Sequence, residues 1–203
     1  YALAPLLFFM ALLSKENAIT FMAIIPLTFW FFTDQTLKKI CINMIPLLLV
    51  SVIYLVMRAS FAGIVGDRVT TDIMDDPYLR ATFSEKYATI TYTISRYLGL
   101  LVFPHPLSAD YSYNEIPLIG WGTAKALLSG ALTLGVLGYA MKGLKEKSLT
   151  TYGILIFFIT FSIVSNAIFN VGTSMADRFM YLPSLGFCIG IAAVLALLLK
   201  IKS

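Results

Sequence analysis

Long apolar runs dominate this chain: 1–13, 18–32, 40–57, 123–141, 152–169 and 180–199 are interrupted only by short polar turns. A helix needs ~20 apolar residues to cross hydrocarbon, so each run is long enough to span a bilayer or nearly so. With 59% apolar residues and 13% charged, the chain is far from an ordinary water-soluble domain, where about a quarter of residues are charged. It is too apolar to stay disordered. The fold class expected is all-α, a polytopic transmembrane bundle of about six spans. A seventh stretch, 87–103, is weaker: it carries Thr89, Thr91, Thr93, Ser95 and Arg96 and ends at Pro104. Its threonines fall at every second position, so a helical period is not evident. Cys41 and Cys188, the two cysteines, lie inside apolar runs and suit neither a disulfide scaffold nor a zinc site.

Loop charges set the expected topology. Lys38 and Lys39, then Lys142, Lys145 and Lys147, then Lys200 and Lys202 all fall on one side if six runs cross, and positive-inside statistics make that side cytoplasmic. A crossing by 87–103 would break this parity, so that stretch is expected to be an interfacial or re-entrant helix of the outer leaflet, with Arg96 snorkelling. The external region 58–122 within a single membrane module, 1–203, has five basic against seven acidic residues, a balance of minus two. The overall charge of +4 therefore reflects cytoplasmic loops, and no nucleic-acid partner is expected. The first run is short and opens at Tyr1 without a basic leader, so the chain is expected to be an excerpt of a larger membrane protein.

Three polar constellations fall on the expected non-cytoplasmic side. In Ser14-Lys15-Glu16-Asn17 a base and an acid sit in a tight turn between two apolar runs. Either they cap helix ends in the headgroup zone, or Lys15 faces an anionic group such as a lipid phosphate while Glu16 holds another cation. In Asp177-Arg178-Phe179-Met180-Tyr181 the guanidinium fork suits phosphate or carboxylate, and Asp177 can orient it or bind a sugar hydroxyl. The alternative is a helix start with Asp177 as cap and Tyr181 as interfacial anchor. The third, 103–118, is broken by Pro104, Pro106 and Pro117. Its Asp110, Tyr111 and Tyr113 resemble a carbohydrate-binding surface or, equally, an aromatic interfacial belt. His105, the single histidine, reads as a loop residue, and Asp75-Asp76-Pro77 reads as a turn. No glycine loop for phosphates, paired histidines or nucleophile elbow is present in the sequence. The residues call for no cofactor and form no metal site, although a divalent ion is left open.

Leu13-Ser14-Lys15-Glu16, Asp76-Pro77, the loop Phe103-Pro104-His105-Pro106-Leu107-Ser108-Ala109-Asp110-Tyr111-Ser112 with Ile116-Pro117-Leu118, and Ala176-Asp177-Arg178-Phe179-Met180-Tyr181-Leu182-Pro183-Ser184-Leu185-Gly186 occur in that order. Together they resemble the transmembrane and tetratricopeptide-repeat O-mannosyltransferases and their bacterial relatives. The resemblance implies a glycosyltransferase of the GT-C architecture. Such an enzyme moves a sugar from a polyprenyl-phosphate donor to a protein or glycan acceptor on the external or lumenal side, in a bacterial inner membrane or the endoplasmic reticulum. It also implies catalytic carboxylates in an upstream loop and tetratricopeptide repeats downstream, neither of which lies in these residues. Under it, Lys15 and Arg178 would meet the donor phosphate, with Arg58 and Arg96 contributing, while Glu16, Asp110, Asp177 and Tyr111 would orient those bases or bind sugar. Tyr111 stands where tryptophan is expected and His105 where a bulkier residue is expected.

Two non-enzymatic readings compete with this one: a flippase or transporter of lipid-linked saccharides, and a membrane anchor for a repeat-containing interaction protein. Transporters place charges near the bilayer midplane on interrupted helices, whereas the ionisable groups here gather at the ends of the apolar runs.

Overall fold

The computed structural model describes residues 3–62, 76–111 and 115–200, and these divide between two compact units, Tyr1–Arg68 and Val69–Ser203. Every regular element among the described residues is helical. Asp75, Ser112, Tyr113 and Lys202 lie outside the described residues.

In the first unit, α1 (Leu3–Ser14) leads through a 3-10 turn (Glu16–Thr20) into α2 (Phe21–Phe32), and α3 (Leu37–Ala62) packs against both. Its core is Phe8, Leu12, Ala18, Met44, Leu47 and Tyr54. Glu16 in the α1–α2 turn pairs with Arg58 near the C-terminal end of α3. Lys38 and Lys39 begin α3, so they lie at the opposite end of this three-helix unit.

The second unit holds α4 (Phe83–Val102), α5 (Ala124–Gly143), α6 (Leu149–Val164), a 3-10 turn (Asp177–Met180) and α7 (Pro183–Leu198). Side chains mark most of the starts. Thr82 and Glu85 form a reciprocal capping box before α4, Thr123 and Ser148 accept backbone N–H groups at α5 and α6, and Pro183 stands in the first turn of α7. The α6–α7 pair is held at backbone distance. A Cβ on Gly153 would lie 2.5 Å from the Gly190 nitrogen and 2.6 Å from the Gly186 oxygen. Only glycine permits that approach, the small-xxx-small arrangement that brings helices together in lipid.

The structure modifies the expected spans. Among the described residues, only Leu37–Phe61 and Ala124–Gly143 are long and apolar enough to cross a membrane by length and composition, while Leu3–Ser14, Glu16–Phe32, Leu149–Val164 and Pro183–Leu198 are shorter. At 1.5 Å per residue a 16-residue helix such as α6 reaches about 24 Å, short of a hydrocarbon core of about 30 Å. Several apolar runs shrink because 3-10 turns and loops take their ends: Ile168 and Phe169 lie beyond α6, and Met180 belongs to the turn before α7.

The alternation of threonines in 87–103 also resolves, because α4 is a regular 20-residue helix. Thr89, Thr93 and Tyr97, four apart, form its buried stripe. Thr91 and Ser95 belong to a second row, where Ser95 Oγ meets Ser129 Oγ of α5 at 2.7 Å. Along about 16 Å of its axis, from Lys86 to Tyr97, α4 is tied to the single loop after α6. Lys86 Nζ donates to Asn170 Oδ1 at 3.0 Å, the Tyr87 hydroxyl to the Ala167 carbonyl at 3.1 Å, and the Tyr97 hydroxyl to the Ala176 carbonyl at 3.2 Å.

Candidate functional site

The polar loop after α4 and the loop before α7 interlock. Asn166, with φ 60°, turns the chain at the end of α6. Its amide holds the loop closed, donating to the Thr173 carbonyl at 2.8 Å and accepting the Val171 N–H at 2.9 Å. Tyr111 N–H then donates to the Met175 carbonyl at 3.0 Å and Asp177 N–H to the Ser108 carbonyl at 3.3 Å, so the two loops pair through their backbones. Beneath them, the Tyr97 hydroxyl accepts the Ala176 N–H at 2.8 Å, and Tyr97 packs edge-on against Phe161 with Tyr111, Met175 and Met180 in the same core.

On this platform Asp110 joins two partners. Its Oδ1 accepts the Thr173 hydroxyl at 2.5 Å and its Oδ2 pairs with Arg178 Nη2 at 3.1 Å. Arg178 also reaches the Ala109 carbonyl at 3.4 Å and lies over the Phe179 ring. Its side chain is 59% exposed, so the remaining guanidinium donors face outward. Asp177, beside it in sequence, points elsewhere: Oδ2 accepts the Ser108 N–H at 2.5 Å. It caps nothing, since the residue before this 3-10 turn is Ala176 and makes no side-chain cap. Arg96 and Tyr111 come together with Asp177, and burial, followed by the nearby Asp177 charge, raises the Tyr111 phenol above its usual range. Tyr181 is exposed.

In the first unit, Arg58 pairs with Glu16 and donates to the Tyr54 hydroxyl at 3.2 Å. Lys15 is exposed beside this pair, at the N-cap of the 3-10 turn. The structure thus brings Glu16 to Arg58 within one unit, and Asp110 to Arg178 and Tyr111 to Asp177 and Arg96 within the other. His105 lies in the exposed part of the 103–110 loop, its ring 6.3 Å from that of Phe103.

The sequence reading missed Asn166 altogether and took Asp76 only as the start of a turn, which it is. Asp76 has both oxygens occupied, Oδ1 by the Tyr78 N–H at 2.9 Å and Oδ2 by Asn170 Nδ2 at 2.6 Å. This turn buries Tyr78, which burial pushes up to about 12. The signal available was Asp76-Pro77 itself, an Asx-type turn start. Asn166 gave no signal, because an asparagine at the edge of an apolar run does not announce a left-handed backbone. Among the described residues, no group of three His, Cys, Asp or Glu side chains could hold a metal ion.

No family model matches the chain, and no solved structure matches it. Among curated proteins it is similar to human protein O-mannosyl-transferase TMTC1, 31% identical over 51% of this chain and 12% of that protein. It is also similar to the Caenorhabditis elegans protein O-mannosyl-transferase F38B6.6, 35% identical over 57% and 17%, and to mouse protein O-mannosyl-transferase TMTC3, 28% identical over 78% and 17%. The chain thus spans between about a tenth and a fifth of the length of these relatives, all of which are named as protein O-mannosyltransferases.

Proposed function

We propose that this chain is part of a polytopic membrane glycosyltransferase of the GT-C type, a bacterial relative of the O-mannosyltransferases it resembles. It would transfer a sugar, mannose in the first instance, from a polyprenyl-phosphate carrier to a protein or glycan acceptor on the non-cytoplasmic side. The interlocked loops carry the proposal: they present Arg178, oriented by Asp110, as an exposed guanidinium with donors to spare. Such a fork binds phosphate and stabilises charge that grows on the carrier as the glycosidic bond breaks.

In this reading Arg178 meets the carrier phosphate, with Arg96 contributing, and Asp110, Asp177 and Tyr111 orient those bases or touch the sugar. Lys15 and Arg58, the latter paired with Glu16, form a second basic patch suited to a lipid phosphate. No residue here is assigned as catalytic base. The proposed membrane arrangement has six crossings, with tilt or local bilayer thinning accommodating the shorter helices, and α4 lying in the outer interface. Two features support it: the lysine turns, Lys38–Lys39 before α3 and Lys142–Lys147 between α5 and α6, lie at the end of their unit opposite its acid-base pair, and α4 is tied to one loop along its length. Full-length protein in native membranes, given radiolabelled mannosyl-phosphoryl polyprenol and a protein acceptor, tests the reading. Label should pass to the acceptor and fall sharply in Arg178→Ala; acceptor labelling no greater than in membranes lacking the protein would overturn it.

A further inference from the structure

Charge is unevenly spread over the second unit. The lysine turn and the end of α7, residues 139–149 and 197–200, carry four lysines against one acid, Glu146. The other described residues of the unit balance, five basic against five acidic. The fold gathers these lysines at one end. A Cβ on Gly143 would collide with the Thr151 and Ser148 hydroxyls, so the last turn of α5 abuts the first turn of α6. Gly186 lies against Phe157 while Gly190 lies near Thr150, so α6 and α7 run antiparallel, and Lys200, ten residues past Gly190, lies beyond the start of α6. Lys142, Lys145 and Lys200 are exposed there. So are Met141, Leu149, Leu197, Leu198 and Leu199, the three consecutive leucines by between 68% and 73%.

We propose that this end of the second unit is a docking surface for anionic phospholipid headgroups, which it gathers from the leaflet it faces. The proposal rests on the membrane reading above and not on the transfer chemistry. Large apolar side chains at this density are unfavourable in water, and the lysines set among them would lose their hydration in a wholly apolar contact. A bilayer boundary satisfies both: the leucines enter the acyl region, the lysine stems lie along it, and the ammonium groups reach the headgroups. Zwitterionic headgroups leave the local excess of three positive charges without a counterpart, whereas anionic ones supply it. A soluble acidic partner would cover the lysines and leave the leucines in water. The chemistry of the cations agrees. Each lysine is a point charge on a flexible stem with no fixed fork to match, which suits a mobile lipid surface. Arg178 contrasts with this, since its guanidinium is held by Asp110.

The test uses the full-length protein, otherwise free of cysteine, in phosphatidylcholine vesicles. A fluorophore is placed on Tyr139→Cys, an exposed position one turn before Lys142, or on Trp121→Cys at the opposite end of α5, a helix about 30 Å long. Quenching by phosphatidylglycerol with a nitroxide on its acyl chain is compared with quenching by phosphatidylcholine carrying the same label. At position 139 the anionic lipid should associate about fivefold more strongly, the contribution of one lysine near a charged leaflet. At position 121 the two lipids should quench nearly equally. Lys142→Gln, Lys145→Gln and Lys200→Gln together should bring position 139 to the same near-equality while leaving quenching by phosphatidylcholine unchanged. If that variant fails to insert, salt on the parent protein decides the matter: the preference should vanish near about 1 M, where screening shortens the reach of charge to about 3 Å. Equal quenching at position 139 with the lysines in place, or a preference that survives the triple substitution or the salt, would overturn the headgroup surface and leave the membrane reading standing. No quenching by either lipid at position 139 would remove both.

Discussion

Arg178 and Asp110, 68 residues apart in the chain, form an ion pair with Nη2 and Oδ2 3.1 Å apart. Backbone bonds between their loops, Tyr111 to Met175 and Asp177 to Ser108, bring the two residues together, and the guanidinium also lies over the Phe179 ring. Both side chains are about half exposed, and an exposed pair of this kind contributes less than about 1 kcal/mol to stability. Its value on this account is orientation.

Arg178→Ala should therefore change thermal stability by less than about 1 kcal/mol while lowering transfer about a hundredfold, the scale of a lost charge-stabilising donor. Arg178→Lys should recover only part of the loss, because it restores charge without the planar fork. Transfer rates and melting in detergent, measured on the same preparations, check both statements. A variant that melts early and loses activity in parallel would assign Arg178 a structural role.

The α6–α7 contact makes a sharper stability prediction. A Cβ on Gly186 would meet the Phe157 backbone nitrogen and the Gly153 oxygen, and backbone cannot move aside as a flexible side chain can. Gly186→Leu should destabilise the second unit by more than the about 1–3 kcal/mol typical of overpacking. Gly135→Ala, where nothing lies within 4 Å, should be neutral or slightly stabilising. Melting curves in detergent distinguish the two.

Tyr97→Phe should cost about 1–3 kcal/mol by leaving the fully buried Ala176 N–H without its partner. Proteolysis of the 165–178 loop should speed up accordingly, and a cleavage rate equal to wild type would show that the loop is held by other means.

Much of the site was legible in advance, and the reasons for the remainder are local. Loop 103–118 and the Asp177-Arg178 stretch stood out because prolines and charges interrupt apolar runs, and the structure binds these two segments together. Pattern alone could not tell that Asp177 would turn to the Ser108 backbone while Arg178 found Asp110, since neighbouring residues in a 3-10 turn diverge. Nor could it show that alternating threonines conceal a helical stripe, because Thr89 and Thr93 are buried while Thr91 bonds its own helix at the Tyr87 carbonyl. Helix lengths were overestimated where apolar residues such as Ile168 and Phe169 serve loops. Gly153 became significant only once Gly186 lay against it.

The start of α4 should depend on acid. The Thr82 hydroxyl and backbone N–H donate to the Glu85 carboxylate and lower its pKa from the usual 4.5. A carboxylate lowered on folding stabilises above its unfolded value and loses that contribution as pH falls through the folded value. Amide exchange in the first turn of α4 should accelerate in wild type as pH falls below the ordinary carboxylate range and become independent of pH, once corrected for intrinsic rates, in Glu85→Gln. Equal pH dependence in both proteins would contradict the capping role.

The central claim is one of sidedness: the acid-base turns and α4 face the non-cytoplasmic side and the lysine turns face the cytoplasm. The direct measurement is labelling of single cysteines by an impermeant maleimide in sealed vesicles of known orientation, with Cys41 and Cys188 replaced by alanine. Cysteines at Lys15, Phe83, Phe103 and Arg178 should react from the non-cytoplasmic face without permeabilisation, and those at Lys38 and Lys145 only from the other. Labelling of positions 15 and 178 from opposite faces, or of 83 and 103 from opposite faces, would contradict the account.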